Sequence, residues 1–241
     1  GRFYIEDLSS NNVVHTNPPI SSEISSGRCL VMVSDDAERT MCTNLGISTE
    51  FWISDLDEDV IRASDYLFLE GYLVASPKGM EVCKKAIEAA KESNTKVSIS
   101  LSDPNIVNAF KDEIKSLLNM KCDLVFCNED EALAYTKTNN ILDAFQMFKE
   151  ISPNFLITQG SSGCLGFDGK NEFNIPGIKV NAIDSNGAGD MFAGAVLYCI
   201  TSGSSLEKGA IFGCYAASKV VGNVGPRLIK DEYREIKNNF F

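Results

Sequence analysis

From Asp65 onward the chain keeps switching its hydrophobic period, and this alternation limits the fold more than any other feature of the sequence. DYLFLEGYL (65–73) is a short apolar run that reads as a strand. PKGMEVCKKAIEAAKES (77–93) brings Met80, Cys83, Ile87 and Ala90 round at helical spacing. KVSISL (96–101), DLVFCN (123–128) and NFLITQG (154–160) read as further strands. NIVNAFKDEIKSLL (105–118), behind Pro104, reads as a helix, and so do the stretches near 129–137 and 140–151. GCLGFD through KVNAID reads as short strands with glycine turns, and GAGDMFAGAVLYCITSG (187–203) as a helix. SSLE (204–207) has the spacing of a capping box that opens a last long helix. Strands and helices alternating at this length predict an α/β fold, with a mostly parallel sheet covered by helices on both faces. Such sheets bind ligands beyond the carboxyl ends of their strands. Glu70, Asp103, Asn128, the 158–163 turn and the 184–190 turn all fall there.

The first third differs. RCLVMV (28–33), the turn SDDAE and RTMCTNL (39–45) predict a β-hairpin with no helix beside it, set apart from the main sheet as a small lid over 28–45. SSNNVVHTNPPISSEISS reads as loop, and GRFYIEDL as a helix with no strand ahead of it. A domain of this kind normally opens on a strand, so an N-terminal portion is expected upstream.

Composition narrows the chemistry. The 241 residues, 44% hydrophobic and 23% charged, suit one large domain or two small ones. A formal net charge of −11 opposes nucleic acid as a partner. No run approaches the roughly 20 apolar residues that span a bilayer, and no signal peptide is visible, so a cytoplasmic protein without membrane contact is expected. The eight cysteines form no CxxC pair and are expected to be reduced, buried thiols. His15 is the sole histidine and lies in a polar loop, which removes Ser-His-Asp and Cys-His nucleophiles and a Cys/His zinc site. Carboxylates, backbone amides and a hard metal remain.

IDSNGAGDMF (183–192) places Asp184 and Asp190 around a glycine-rich turn where a strand is expected to meet a helix. Such a turn exposes the first helical N–H groups at the positive end of the helix dipole, which makes an anion site. Asp190 in the first turn suits a general base for a hydroxyl attacking a phosphoryl group. It also suits an ordinary first-turn helix residue, since aspartate is favoured there. Asn128 and Glu131 have the spacing of a helix cap as well as of a polar site. Phe212, Cys214, Tyr215 and Val221 read as core, and DEYREIKNN as a solvated helix face. Glu70 in an apolar strand is hard to explain as packing, because an unpaired buried carboxylate is costly.

DSNGAGD (184–190) resembles the D-T-x-G-A-G-D signature of the ribokinase-like (PfkB) family of carbohydrate and nucleoside kinases. NEDE (128–131) resembles that family's N-x-x-E motif, TQGSSG (158–163) its T-x-G-x-x-G segment, and LEGYL (69–73) with ERTM (38–41) its substrate-side strand and lid. Ser185 stands where the signature has threonine. The resemblance runs in order along the whole chain. It implies a single three-layer α/β/α domain over 1–241 with a mostly parallel central sheet and a small β lid, lacking the N-terminal portion that holds the acceptor. It implies Asp190 as catalytic base, also facing the substrate, with Gly187, Ala188 and Gly189 as anion hole. Asn128 and Glu131 would help place Mg2+, its waters and the ATP phosphates. Thr158, Gly160, Ser161 and Gly163 would line the nucleotide site, and Glu70 would face the acceptor. Asp184 and Asn186, near the backbone of Val220, Asn223 and Gly225, match the family's site for a monovalent cation such as K+. No Walker A pattern occurs, so a P-loop kinase is excluded. Asn186 and the LEGYL and LSD segments lean toward an adenosine-kinase-like phosphotransferase acting on a primary hydroxyl. Fructokinase, ribokinase, 2-keto-3-deoxygluconate kinase and a non-catalytic nucleotide-binding relative remain alternatives. Two copies could pair through the lid.

Overall fold

The computed structural model describes residues 2–34, 37 and 39–241, with Arg39 described by its backbone alone. Asp35, Asp36 and Glu38 of the expected hairpin turn lie outside the described residues, as does Gly1.

The chain opens with helix α1 (Arg2–Ser10), followed by loop, and then the hairpin of β1 (Arg28–Val33) and β2 (Arg39–Asn44). These two strands pair antiparallel, Leu30 opposite Cys42, as a sheet of their own. The hairpin expected over 28–45, set apart from the main sheet, is therefore present. The main body follows in alternation: α2 (Glu58–Arg62), β3 (Tyr66–Glu70), α3 (Pro77–Ser93), β4 (Lys96–Ser100), α4 (Pro104–Ala109), α5 (Lys111–Met120), β5 (Leu124–Asn128), α6 (Glu129–Thr136) and α7 (Ile141–Phe148). It ends with β6 (Phe155–Thr158), β7 (Gly163–Phe167), β8 (Glu172–Pro176), α8 (Ala188–Thr201), α9 (Leu206–Val220) and α10 (Lys230–Phe240). Six strands form one sheet in the order β3-β4-β5-β6-β7-β8. The first four are parallel, and β7 and β8 are antiparallel additions.

Alternate residues of the buried strands feed two different cores. Val97, Ile99, Val125, Cys127, Phe155 and Ile157 pack with α3, α5 and α7 on one face. Leu124, Phe126, Leu156 and Cys164 pack with Phe192 and Val196 of α8 and Ala210 of α9 on the other. The result is three layers, α/β/α. LVFC and FLI read as unbroken apolar runs because both faces of those strands are covered.

Several expectations need correction. KVNAID (179–184) is not a strand. Val180 and Ile183 stay exposed, and the N–H groups of Ile183 and Asp184 bond to Val221 rather than to a neighbouring strand. The helix expected over 105–118 breaks at Phe110 (φ −127°, ψ 36°), whose ring packs on the first core. The capping box on Ser204 and Glu207 does not form. Gly203 (φ +84°) ends α8 with the Ser204 N–H on the Cys199 carbonyl and its own N–H on that of Ile200. Ser204 is thus spent on closing α8, and Ser205 caps α9 by accepting from the Lys208 N–H at 3.2 Å. Of the cysteines, Cys29 and Cys42 are exposed on the hairpin, while Cys83, Cys127, Cys164 and Cys199 are buried. No described helix is long and apolar enough to cross a membrane.

Candidate functional site

The turn that starts α8 is held from three directions. The Ile183 and Asp184 N–H groups donate to the Val221 carbonyl, at 2.7 and 3.3 Å. The Asp184 carboxylate is only 3% exposed. Its Oδ1 accepts from the Asn186 N–H at 2.9 Å and its Oδ2 from the Gly225 N–H at 2.8 Å. The Ser185 N–H donates to the carbonyl of Ala37 at the hairpin tip, at 3.2 Å. Gly187 sits at φ +77°, and a Cβ there would lie 2.4 Å from the Pro226 carbonyl oxygen. Only glycine fits that position.

The helix begins at Ala188, whose N–H reaches the Ser185 carbonyl at 3.4 Å. Among the described residues, the N–H groups of Gly187, Gly189 and Asp190 find no acceptor in the protein. Nothing lies within 4 Å of where a Gly189 Cβ would stand. Among the described residues, a long helix thus presents open amides at its positive end, which is an anion-binding arrangement. Asp190 is exposed in the first turn. It borders a groove of about 850 Å³ between α1, α8 and α10, walled by Asn11, Met191, Tyr198 and Tyr233.

Glu70 ends β3 and is exposed, so the burial argument made for it from sequence does not hold. Its carboxyl is nonetheless raised above the ordinary glutamate value, first by loss of surrounding water and second by the charge of Asp190. The Asp190 charge therefore reaches the Glu70 carboxyl. A carboxyl raised on folding favours the folded state most when it is protonated. Its contribution is fully present below the ordinary value and is lost as pH rises through the raised one. Glu70→Gln is expected to melt like the wild type near about pH 4 and at a higher temperature near about pH 7.5. Equal melting temperatures at both pH values would exclude the repulsion.

The second part of the site lies on the neighbouring strand ends, where Asn128 and Thr158 stand in register. Asn128 and Glu131 form a complete capping box. The Glu131 N–H donates to Asn128 Oδ1 at 2.8 Å, the Asn128 N–H to Glu131 Oε2 at 3.0 Å, and Asn128 Nδ2 to Glu131 Oε1 at 2.8 Å. The helix-cap reading of this motif is thus what the geometry shows. Thr158 leads through Gln159 into the tight turn Gly160–Ser162, with Ser161 exposed. Gly163 (φ +105°) turns the chain into β7, where a Cβ would lie 2.0 Å from the Ile175 carbonyl oxygen.

Gln159 and Glu129, which sequence reasoning passed over, join the two motifs: Gln159 Nε2 donates to Glu129 Oε2 at 2.9 Å. Both lie inside the motif stretches, and that was their only signal. Ala37 and Pro226 carried none. Asp103 is committed to capping α4 through the Asn105 N–H, 2.7 Å away. Of the residues expected in the core, Phe212 is buried, while Cys214 and Tyr215 are half-buried against it. No group of three or more His, Cys, Asp or Glu among the described residues could hold a metal by itself.

The sequence pattern of the pfkB family of carbohydrate kinases matches residues 1–232. Adenosine kinase of Schizosaccharomyces pombe (strain 972) is 26% identical over 225 residues, which cover 84% of this chain and 64% of that protein. The chain thus spans less than two thirds of that relative's length. The crystal structure of adenosine kinase from Sinorhizobium meliloti superposes with a TM-score of 0.94 at 27% identity, covering 99% of this chain and 73% of that one. A probable sugar kinase protein from Rhizobium etli CFN 42 superposes equally well, with a TM-score of 0.94, 28% identity and the same coverages.

Proposed function

The chain belongs to the pfkB family of carbohydrate kinases, and we propose that it transfers the terminal phosphoryl group of ATP to a primary hydroxyl of a nucleoside or sugar, adenosine first among them. The observation that carries this reading is the row of open amides at the start of α8 with Asp190 in the same turn. Phosphoryl transfer asks for positioning and charge neutralisation more than for covalent catalysis. The acceptor hydroxyl gives its proton to the Asp190 carboxylate as its oxygen bonds to phosphorus, and the bond to the ADP oxygen breaks. Gly187 and Gly189 offer open backbone N–H groups to the charge that spreads over the transferred group, and Ala188, whose N–H reaches the Ser185 carbonyl at 3.4 Å, would complete the anion hole by turning that N–H to the phosphate. Glu70, whose carboxyl feels the Asp190 charge, would border the acceptor side.

Thr158, Gly160, Ser161 and Gly163 would line the nucleotide. The absence of a ready-made metal cluster among the described residues fits a Mg2+ ion that arrives on the ATP phosphates. Both Glu131 oxygens already accept from Asn128, which suits holding that ion through water. Mg2+ would supply charge neutralisation at the phosphates. The buried Asp184 carboxylate accepts one N–H on each oxygen and keeps a lone pair on each, with which it and Asn186 would hold a monovalent cation such as K+. Leu30, Met32 and Met41 leave the hairpin apolar and exposed, which supports pairing of two copies through it.

The test is ADP release from Mg·ATP with adenosine, ribose, fructose and 2-keto-3-deoxygluconate offered in turn. Turnover is expected with adenosine. Turnover with one of the others would move the acceptor within the family. ATP binding without turnover on any of them would replace the kinase reading with a nucleotide-binding role.

A further inference from the structure

We infer that Ala37 is a positioning residue for the anion hole, its backbone carbonyl tying the tip of the hairpin to the turn that starts α8. Three observations meet at this alanine. It is 4% exposed, although β1 is exposed along almost all of its length and no residue of that strand is buried. It has φ +65°, a left-handed conformation that costs alanine more than glycine. Its N–H donates to the Ser34 carbonyl at 2.9 Å, and its own carbonyl accepts the Ser185 N–H at 3.2 Å. A strained, buried residue at the tip of an otherwise exposed hairpin needs a reason, and strain of this kind collects where a structure fixes a working geometry. Here the left-handed turn aims the carbonyl at Ser185.

Ser185 is a sensitive point to hold. Its carbonyl accepts the Ala188 N–H, the first of the helix. On its two sides, Asp184 is fixed by Gly225 and Asn186 by Asp184. With the Ser185 amide held by Ala37, the turn that carries the open amides of Gly187 and Gly189 has an anchor on the lid side. Once the hairpin lifts, that amide turns to water and the turn loses its anchor on the lid side. Seating of the hairpin and alignment of the open amides are then one event.

The proposal rests on the phosphoryl-transfer reading only for its kinetic arm. Hydrogen exchange on the wild-type chain tests the coupling without any turnover. The Ser185 amide is expected to exchange through the same opening as the amides of Leu30 to Val33, with matching dependence on urea. Independent exchange of the two segments overturns the proposal, whatever the chain catalyses. Substitution gives the second arm. Glycine and asparagine tolerate positive φ and valine does not. Ala37→Gly and Ala37→Asn are expected to keep kcat within about threefold, while Ala37→Val lowers kcat about tenfold or more with the KM for ATP nearly unchanged and Ser185 exchange speeded. Wild-type kcat and wild-type Ser185 exchange in a folded Ala37→Val overturn the proposal. Should that variant fail to fold, the wild-type exchange measurement decides. Coupled exchange in a chain that turns over no acceptor would keep the positioning role and remove the kinase reading.

Discussion

Asp190→Asn is expected to lower kcat by about 100- to 10,000-fold, the usual span for loss of a general base, while ATP affinity stays within about threefold. The amide side chain keeps the size of the carboxylate and its place in the first turn of α8, so the fold has no reason to change. It cannot take the proton of an attacking hydroxyl. Initial rates of ADP release, set beside ATP titration by calorimetry, separate the two quantities. A variant retaining more than about a tenth of wild-type kcat would remove Asp190 from the role of base. Parallel loss of ATP binding would point instead to a structural aspartate. Glu70 adds a check on location, because its raised carboxyl owes part of its shift to the Asp190 charge. In Asp190→Asn that part disappears, and the Glu70 carboxyl is expected to titrate lower.

The second large effect concerns two glycines that sit two residues apart and behave in opposite ways. Gly187→Ala must place a Cβ 2.4 Å from the Pro226 carbonyl oxygen at φ +77°. Backbone strain and overpacking together are expected to cost about 3 kcal/mol, lowering the melting temperature by about 6–12 °C in a domain of this size. Gly189→Ala meets nothing within 4 Å and replaces glycine by the best helix former, so stability is expected to hold or rise by up to about 1 kcal/mol. Its methyl group would nonetheless stand in the open space beside Gly189, where the proposed reaction brings a phosphate. Gly189→Ala is therefore expected to weaken ATP binding or lower kcat about tenfold or more in a protein that melts no earlier than wild type. Thermal melts and steady-state kinetics on the pair check this. A Gly189→Ala enzyme with normal kinetics would show that no phosphate comes close to that amide.

The body of the fold could be read in the sequence because its signals are local. Helix α3 was expected over 77–93 and occupies those residues. Its apolar residues recur at helical spacing, and Ser76 and Pro77 mark its start. The strands LVFCN and FLIT declare themselves by continuous apolar runs that only a doubly covered sheet can bury. The misreadings occur where a distant residue decides. KVNAID has the alternation of a strand, yet strandhood needs a partner, and the segment binds Val221 instead. Ser204 looked like a cap until Gly203 drew it into the end of α8. The site divides in the same way. The residues of 184–190, 128–131 and 158–163 were legible as motifs. The contacts that give the first of these its shape come from Ala37, Val221, Gly225 and Pro226, far away in sequence, and no spacing rule points to them. Glu70 is an exposed carboxyl, raised by loss of surrounding water and then by the Asp190 charge, and not a buried one without a partner.

The bond from Asp184 to Gly225 crosses 41 positions of sequence, and the neighbouring bonds run to Val221. This has a consequence for synthesis on the ribosome. The sheet, both of its helical layers and the Asp190 side chain are all encoded before residue 221. A nascent chain halted there would carry every residue of DSNGAGD and Ala37, but not the Val221 and Gly225 backbone groups that hold Ile183 and Asp184. Domains fold as the chain emerges, N-terminal parts first. The turn that starts α8 is thus among the last features to be fixed, and it is completed only when the loop after α9 has left the ribosome.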